Sequence, residues 1–178
     1  MHRLQVPGGA PALTDPGAFE VPDENVRTPP RTTWGPFLLT AAVVALDQAT
    51  KVWAVAALSD GPIRLIDDLL ALRLVRNPGG AFSVFTGFTP LLAVLATVLV
   101  VIIVRTTRRT ADPVMAYTLA LVLGGAVGNL VDRMVRSPGF LRGHVIDFVD
   151  LSFWPTFNLA DSAISVGVVI VLLRGWRA

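Results

Sequence analysis

The chain has 178 residues, of which 53% are hydrophobic and 16% are charged, with a formal net charge of +2. Soluble domains carry about 25% charged residues, so this composition argues against a soluble domain and for a membrane protein. The absence of cysteine excludes disulfides, thiol nucleophiles and Cys-based metal sites. His2 and His144 are the only histidines and form no closely spaced pair, so we expect no metal site.

Residues 1–33 are rich in Pro and Gly and have no periodic apolar pattern. Such segments do not bury enough apolar surface to fold, so we predict a disordered cytoplasmic tail with no catalytic role. No apolar run follows Arg3, which argues against a signal peptide. Residues 34–178 are therefore predicted to form the single membrane domain.

Four hydrophobic stretches are predicted to be transmembrane helices, at about residues 36–58, 88–104, 113–133 and 157–173. A helix of about 20 residues crosses roughly 30 Å of hydrocarbon. Arginines flank these helices on one predicted side: Arg27, Arg31, Arg105, Arg108, Arg109, Arg174 and Arg177. The positive-inside rule makes this side cytoplasmic. Both termini are then cytoplasmic, and two long loops lie outside.

The first outer loop contains two short apolar-rich runs, residues 63–66 and 70–76, bounded by Gly and Pro. This pattern favours short strands, so we predict a small β element at about residues 60–86, at the outer membrane surface. The predicted fold class is an all-α polytopic membrane protein of four helices with this β element outside.

Ionisable groups inside a membrane helix are costly unless they are paired or wet. Asp47 and Lys51 are four residues apart and can form an ion pair that only fixes helix packing. Asn158 can be a simple helix N-cap, and Asp161 a first-turn acid that complements the helix dipole. These local explanations do not account for Asn129.

In the predicted topology, one set of ionisable and amide residues collects at one depth, in the outer leaflet. They are Asp47 and Lys51, then Asn129, Asp132 and Arg133, then Asn158 and Asp161, with Asn77, Gly79 and Asp147 in the outer loops. Independent helix ends would scatter such residues over both faces. Their collection at one depth therefore predicts a functional site in the outer leaflet.

Aspartates without cysteine or metal ligands favour an aspartic hydrolase, in which two carboxylates sharing a proton activate water. This chemistry needs no cofactor. Spacing alone leaves the pair open among Asp132, Asp147, Asp150 and Asp161. Two alternatives are a small proton-coupled transporter, which requires a polar path to both faces, and a scaffold, which does not predict a one-sided cluster.

Five sequence blocks occur in order: Leu46-Asp47-Gln48-Ala49-Thr50-Lys51, Asn77-Pro78-Gly79-Gly80-Ala81-Phe82, Gly124-Gly125-Ala126-Val127-Gly128-Asn129-Leu130-Val131-Asp132-Arg133, Val145-Ile146-Asp147-Phe148 and Phe157-Asn158-Leu159-Ala160-Asp161-Ser162-Ala163-Ile164. Together they resemble the bacterial lipoprotein signal peptidase family, signal peptidase II, over about residues 36–173.

The resemblance implies an aspartic endopeptidase of the bacterial cytoplasmic membrane, with its active site at the outer leaflet. It implies removal of signal peptides from diacylglyceryl-modified prolipoproteins, by cleavage just before the lipidated cysteine. By resemblance the catalytic residues are Asp147 and Asp161, and the outer strands form a cradle for the lipidated substrate. Supporting or substrate-contacting residues are then Asp47, Lys51, Asn77, Gly79, Asn129, Asp132, Arg133 and Asn158.

The resemblance also implies that Asp132 is important but not catalytic, paired with Arg133. The partners expected are the lipidated substrate and membrane lipids, with no nucleic acid, and the protein is expected to be a monomer. The stretch Met134–Gly143 is longer than the family pattern and is expected to extend a flap over the site.

Overall fold

The computed structural model describes residues 34–79 and 88–176. The predicted tail and residues 80–86 of the predicted β element lie outside the described residues. The helices are α1 Gly35–Ala57, α2 Thr89–Arg109, α3 Pro113–Val135 and α4 Leu159–Gly175. The strands are β1 Ile63–Ile66, β2 Leu70–Asn77, β3 Val145–Leu151 and β4 Trp154–Phe157.

Within the described residues, α1, α2 and α3 are each long and apolar enough to cross a membrane. The fourth helix has 17 residues, which corresponds to about 25 Å. Large apolar side chains remain exposed on the helices, among them Leu91, Leu95, Val98, Ile102, Val169 and Leu172. A soluble protein would bury such a surface, whereas lipid tails cover it in a bilayer.

Most helix boundaries differ from the prediction by one or two residues, and two of the differences have a clear local cause. The second helix continues past residue 104 to Arg109, because arginines in the last turn complement the negative end of the helix dipole. The fourth helix begins two residues later than predicted, because Asn158 has an extended backbone and caps α4 with its side chain.

The third helix lies at the centre of the bundle and packs against the other three helices. Two adjacent glycines of α3 allow this close packing. A Cβ atom at Gly124 would overlap Val43 of α1, and one at Gly125 would overlap the carbonyl oxygen of Ala160 in α4. Small residues let helix backbones approach closely in membrane proteins, so these glycines bring α1 and α4 together around α3.

The strands form one antiparallel sheet in the order β1-β2-β3-β4. The pairing of β1 with β2 confirms the strands predicted in the first outer loop. No strand is predicted in the second outer loop, but that loop supplies β3 and β4. The predicted β element of residues 60–86 is therefore only half of the described sheet.

The sheet packs on the end of α1. Phe148 of β3 is buried against Ala54 of α1 and against Leu58, which directly follows α1, and Leu72 and Leu74 of β2 lie beside them. Burial of a side chain as large as that of Phe148 stabilises by about 2 kcal/mol. This small core holds β3 at the end of the helical bundle where α3 ends and α4 begins.

Candidate active site

Asp161 lies in the first turn of α4 and forms a reciprocal cap with Asn158. The Oδ1 atom of Asn158 accepts a hydrogen bond from the backbone N–H of Asp161 at 2.9 Å. The Oδ2 atom of Asp161 accepts one from the backbone N–H of Asn158 at 3.2 Å. Together these bonds form a capping box, which satisfies two otherwise unpaired donors. The N-cap predicted at Asn158 and the first-turn acid predicted at Asp161 are therefore both present.

Asp147 lies on β3 and is 2% exposed. Its Oδ1 atom accepts a hydrogen bond from Nδ2 of Asn158 at 2.7 Å, and its Oδ2 atom accepts one from Nδ2 of Asn77 at 2.9 Å. Burial raises the pKa of Asp147 from 3.8 to about 6, partly offset by the Asn77 amide, because desolvation disfavours the charged form. The nearby charge of Asp161 also raises this pKa.

Asn129 of α3 completes the set of amides around the two acids. Its Nδ2 atom donates to Oδ1 of Asp161 at 2.8 Å. Its Oδ1 atom accepts from Nζ of Lys51 at 2.9 Å and from Nδ2 of Asn158 at 3.1 Å. The two acceptor contacts fix which end of the Asn129 amide faces Asp161, so Lys51 orients Asn129 toward that acid.

Beneath these amides lies a buried ionic cluster. The Nζ atom of Lys51 is 2.8 Å from Asp47 and 2.9 Å from Asp132. On its other oxygen, Asp132 accepts from Nε of Arg136 at 2.6 Å, and Gln48 donates to both carboxylates. Two carboxylates face two cations, so the charges of this buried cluster balance, as burial requires.

Each carboxylate of the cluster also binds one backbone N–H. Asp47 accepts from the N–H of Ala160 at 3.0 Å, and Asp132 accepts from the N–H of Ile146 at 3.2 Å. Ala160 directly precedes Asp161, and Ile146 directly precedes Asp147. The cluster therefore holds the backbone next to both acids.

Asp147 and Asp161 line the same cavity of about 260 Å³. Its polar wall is formed with Asn77, Asn129 and Arg133, and its apolar wall includes Val145, Pro155, Phe157 and Ile164. Arg133 donates from NH1 to the carbonyl oxygen of Asn129, while its buried Nε has no hydrogen-bond partner among the described residues. A cavity of this size, lined by two acids and an arginine, has polar groups for a peptide carbonyl and a water.

The predicted site residues divide into two groups. Asp147, Asp161, Asn77, Asn129 and Arg133 line the cavity. The others lie behind it: Asp47, Lys51, Asp132 and Asn158 are buried and make the contacts given above, and Gly79 donates its backbone N–H to Oδ1 of Asn77. These residues support the cavity wall and do not line it.

Two expectations, on the partner of Asp132 and on the flap, need correction, and the structure also locates Asp150, which spacing alone left open. Among the described ion pairs, Asp132 binds Lys51 and Arg136, not Arg133, because residues four apart share a helix face and adjacent residues do not. Asp150, the fourth candidate acid, pairs with Arg73 away from the cavity. The expected flap folds back on α3, with the N–H of Gly143 bonded to the carbonyl of Arg133, and residues 134–143 do not line the cavity.

Sequence reasoning did not identify Gln48 or Arg136 as part of the site. Arg136 is one helical turn beyond Asp132, whereas Gln48 directly follows Asp47 and shares no such spacing with it. That helical spacing is the signal from which Arg136 could have been found. Among the described residues, no group of three or more His, Cys, Asp or Glu side chains could hold a metal.

A buried and a half-buried carboxylate on one cavity, joined through amides at the end of a membrane helix bundle, are the arrangement expected of an aspartic peptidase that works within a membrane. The model of the family described as signal peptidase (SPase) II matches residues 39–177. The chain belongs to the signal peptidase II family.

Two similar proteins are named lipoprotein signal peptidases. The lipoprotein signal peptidase of Rhodococcus jostii is 49% identical over 138 residues, which are 77% of this chain and 70% of that protein. The lipoprotein signal peptidase of Mycobacterium avium is 46% identical over 146 residues, 82% of this chain and 80% of that protein.

Solved structures show the same fold. One bacterial membrane enzyme matches with a TM-score of 0.72 at 25% identity, over 80% of this chain and 88% of that chain. A second matches with a TM-score of 0.67 at 26% identity, over 79% of this chain and 91% of that chain. The expectation of a multi-pass membrane enzyme is thereby confirmed.

Proposed function

We propose that this aspartic peptidase uses Asp147 and Asp161 as its catalytic pair and cleaves diacylglyceryl-modified prolipoproteins just before the lipidated cysteine. Signal peptidase activity on prolipoproteins follows from family membership. The proposal for the pair depends above all on Asn158, whose amide donates to Asp147 while its Oδ1 and backbone N–H bind Asp161. One residue thus holds both carboxylates at the wall of one cavity.

Such a pair hydrolyses a peptide bond by general acid–base catalysis. The ionised aspartate takes a proton from water as the oxygen attacks the scissile carbonyl carbon, and the protonated aspartate donates to the carbonyl oxygen. Collapse of the tetrahedral intermediate breaks the C–N bond, and a proton passes to the leaving amine. The raised pKa of Asp147 supports a pair that shares one proton near neutral pH.

Arg133 is suited to hold the substrate carbonyl. It lines the cavity with both acids. A guanidinium carries five N–H donors, and hydrogen bonds from a charged donor to an oxygen are stronger than neutral ones. We assign Arg133 to substrate binding and the Lys51 cluster to support.

The lipid of the substrate has an apolar surface available next to the acids. A groove of about 370 Å³ beside the cavity shares Trp154, Phe157 and Asp161 with it and continues along Leu151 and Val166. Phe153 and Trp154 at the β3–β4 turn are 71% and 59% exposed, as is typical of aromatic residues at the membrane interface. The diacylglyceryl chains would lie along this groove.

The orientation of the site follows from the arginines. Arg174 at the end of α4 pairs with Asp112 at the start of α3, near Arg108 and Arg109 at the end of α2. The cavity lies at the other end of α3 and α4. The positive-inside rule then places α4 as a fourth, short span, with the arginine end in the cytoplasm and the site at the outer leaflet.

A gel-shift cleavage assay on a diacylglyceryl-modified prolipoprotein tests the catalytic pair. We expect Asp147→Asn and Asp161→Asn each to reduce cleavage by roughly 10²-fold or more, and the double variant to be little worse, because the two acids act as a unit. Asp150→Asn is the matched control, since Asp150 is on the same strand but away from the cavity. Near-normal turnover of either single variant, or inhibition by EDTA reversed by zinc, would refute the proposal.

Single-cysteine labelling tests the orientation cleanly, because the chain has no cysteine of its own. Ser137→Cys, beyond the outer end of α3, should react with an impermeant reagent added outside the cell. Reaction only from the cytoplasmic side would reverse the proposed topology.

A further inference from the structure

A second cavity, of about 290 Å³, lies on the reverse face of the β2–β3 pair. Its walls are Val55, Arg76, Val135, Arg136, Ser137, His144 and Ile146. Arg76 is paired in register with Ile146, and their neighbours Asn77 and Asp147 point to the opposite face because side chains alternate along a strand. This cavity is therefore separate from the catalytic cavity.

The lining of the second cavity is cationic. It contains Arg76, Arg136 and His144, and none of its described lining residues is acidic. The guanidinium of Arg76 makes no hydrogen bond or ion pair with any part of the chain that the structure describes. Arg76 thus contributes a positive charge that no neighbouring carboxylate compensates.

Arg136 is held in place by the buried cluster behind the cavity. Its Nε donates to Asp132, which leaves the NH1 and NH2 groups without described hydrogen-bond partners. Arginine carries five N–H donors in a planar fork that suits phosphate oxygens. The fixed Arg136 fork and the free Arg76 charge therefore converge on one space.

The cavity also lies at the depth of lipid headgroups. Val55 is in the last turn of α1, and Val135 is the last residue of α3 and 72% exposed. Below them, Val52 of α1 is 63% exposed on the surface that lipid tails would cover. An anion in the cavity would have polar groups above it and an apolar surface leading into the bilayer.

We propose that this cavity binds a phosphate group, held by Arg76 and Arg136 with His144 as a further donor. Two sources share this chemistry: the headgroup of an anionic phospholipid, or free phosphate. A bound phosphate would join β2 to the end of α3 on the face opposite the catalytic acids.

Binding is tested on the full-length protein with phosphatidylglycerol and inorganic phosphate as probes. In the first arm, the protein is released from nanodiscs of mixed phosphatidylglycerol and phosphatidylcholine, and native mass spectrometry counts the phosphatidylglycerol molecules that it retains. In the second arm, the Tm of the protein in detergent is measured as inorganic phosphate is added. We expect Arg76→Gln to bind the phosphate group of either probe about tenfold more weakly, because the variant loses one charged hydrogen-bonding group. Arg76→Lys should recover part of the binding, since it keeps the charge but not the fork.

Arg64→Gln is the matched control, because Arg64 is an exposed arginine of β1 in the same sheet, outside this cavity. Arg76 is exposed, so Arg76→Gln should fold with unchanged Tm in phosphatidylcholine alone. Phosphatidylglycerol retention that depends on Arg76 identifies a lipid site, and a phosphate-dependent Tm rise without lipid retention identifies a free-phosphate site. Equal binding by wild type and Arg76→Gln, equal loss in Arg64→Gln, or no binding of either probe by wild type would overturn the proposal. None of these readouts depends on cleavage.

Discussion

Asp132 binds the backbone N–H of Ile146, the residue directly before Asp147. Asp47 makes the same contact with Ala160, directly before Asp161. Lys51 lies between Asp47 and Asp132 and pairs with both. One buried ammonium therefore connects the backbone supports of both proposed catalytic acids, although it does not itself line the cavity.

Replacement of Lys51 by methionine should lower the free energy of unfolding. The variant keeps the size of the side chain but leaves Asp47 and Asp132 buried with one cation, Arg136, in place of two. Breaking a buried pair in this way costs about 3–5 kcal/mol. The measurement is the free energy of unfolding from a denaturing-detergent titration.

Arg73→Met is the control for that change. Arg73 pairs with Asp150, but its side chain is 54% exposed, and exposed pairs contribute about 0–1 kcal/mol. Equal, small effects of the two substitutions would show that the Lys51 cluster does not support the fold.

Asp132→Asn should separate support from catalysis. A neutral amide cannot accept from Lys51, Arg136 and the Ile146 N–H at once, and each lost charged hydrogen bond costs about 1.5–3 kcal/mol. We expect a lower Tm together with reduced but measurable cleavage. A variant with wild-type Tm and no cleavage, beside an Asp147→Asn that still cleaves, would reverse the assignment of these two acids.

Much of this cluster was predictable from the sequence, because helical spacing is local. The pairing of Asp47 with Lys51 and the cap formed by Asn158 and Asp161 follow from separations of four and three residues. The partners of Asp132 were not predicted, since Lys51 reaches it from another helix. Contacts between elements depend on packing that no local pattern records.

The strands of the second outer loop were missed for a related reason. Residues 145–148 of β3 are all buried, so the sequence lacks the alternation of polar and apolar residues that predicts a half-exposed strand. The partner strand β2 is some 70 residues away in the chain. The sequence therefore predicts a loop at Asp147, whereas in the structure the strand β3 fixes the position of this acid.

The stability of the protein should depend on the ionisation of Asp147. Its pKa is raised to about 6 by burial, so between about pH 4 and pH 6 the folded state binds more protons than the unfolded state. Stability from this group is then present at low pH and is lost as pH rises through 6. The loss is on the order of 2–3 kcal/mol above that pH.

Asp147→Asn removes this titration. Between about pH 4 and pH 7 the wild type should therefore lose about 2–3 kcal/mol of unfolding free energy that the variant does not lose. Unfolding titrations of both proteins at the two pH values give the measurement. A difference that does not change with pH would show that Asp147 titrates normally in the folded protein.

Gly125→Ala should reduce both stability and cleavage. The added methyl group would overlap the carbonyl oxygen of Ala160, so α4 must move away from α3 and take Asp161 with it. Overpacking of this kind costs about 1–3 kcal/mol, and small displacements of catalytic groups can lower rates by about 10²-fold. The measurements are Tm and the rate of prolipoprotein cleavage.

The matched control is Gly175→Ala at the end of α4, where an added methyl group meets no atom of the described residues within 4 Å. This variant should retain normal Tm and normal cleavage. If Gly125→Ala also retained normal Tm and normal cleavage, the close approach of α3 and α4 would not be what positions Asp161.

The cap at the start of α4 gives Asp161 two tasks at once. One of its oxygens closes the first turn of the helix through the N–H of Asn158, and the other accepts from Asn129. The start of the helix and the position of the acid therefore depend on one side chain. A substitution that places the acid elsewhere on α4 would also remove the cap that closes the first turn of this helix. With the catalytic role proposed for Asp161, a substitution that escapes an inhibitor bound to this carboxylate would lose both the chemistry and a stabilising helix cap.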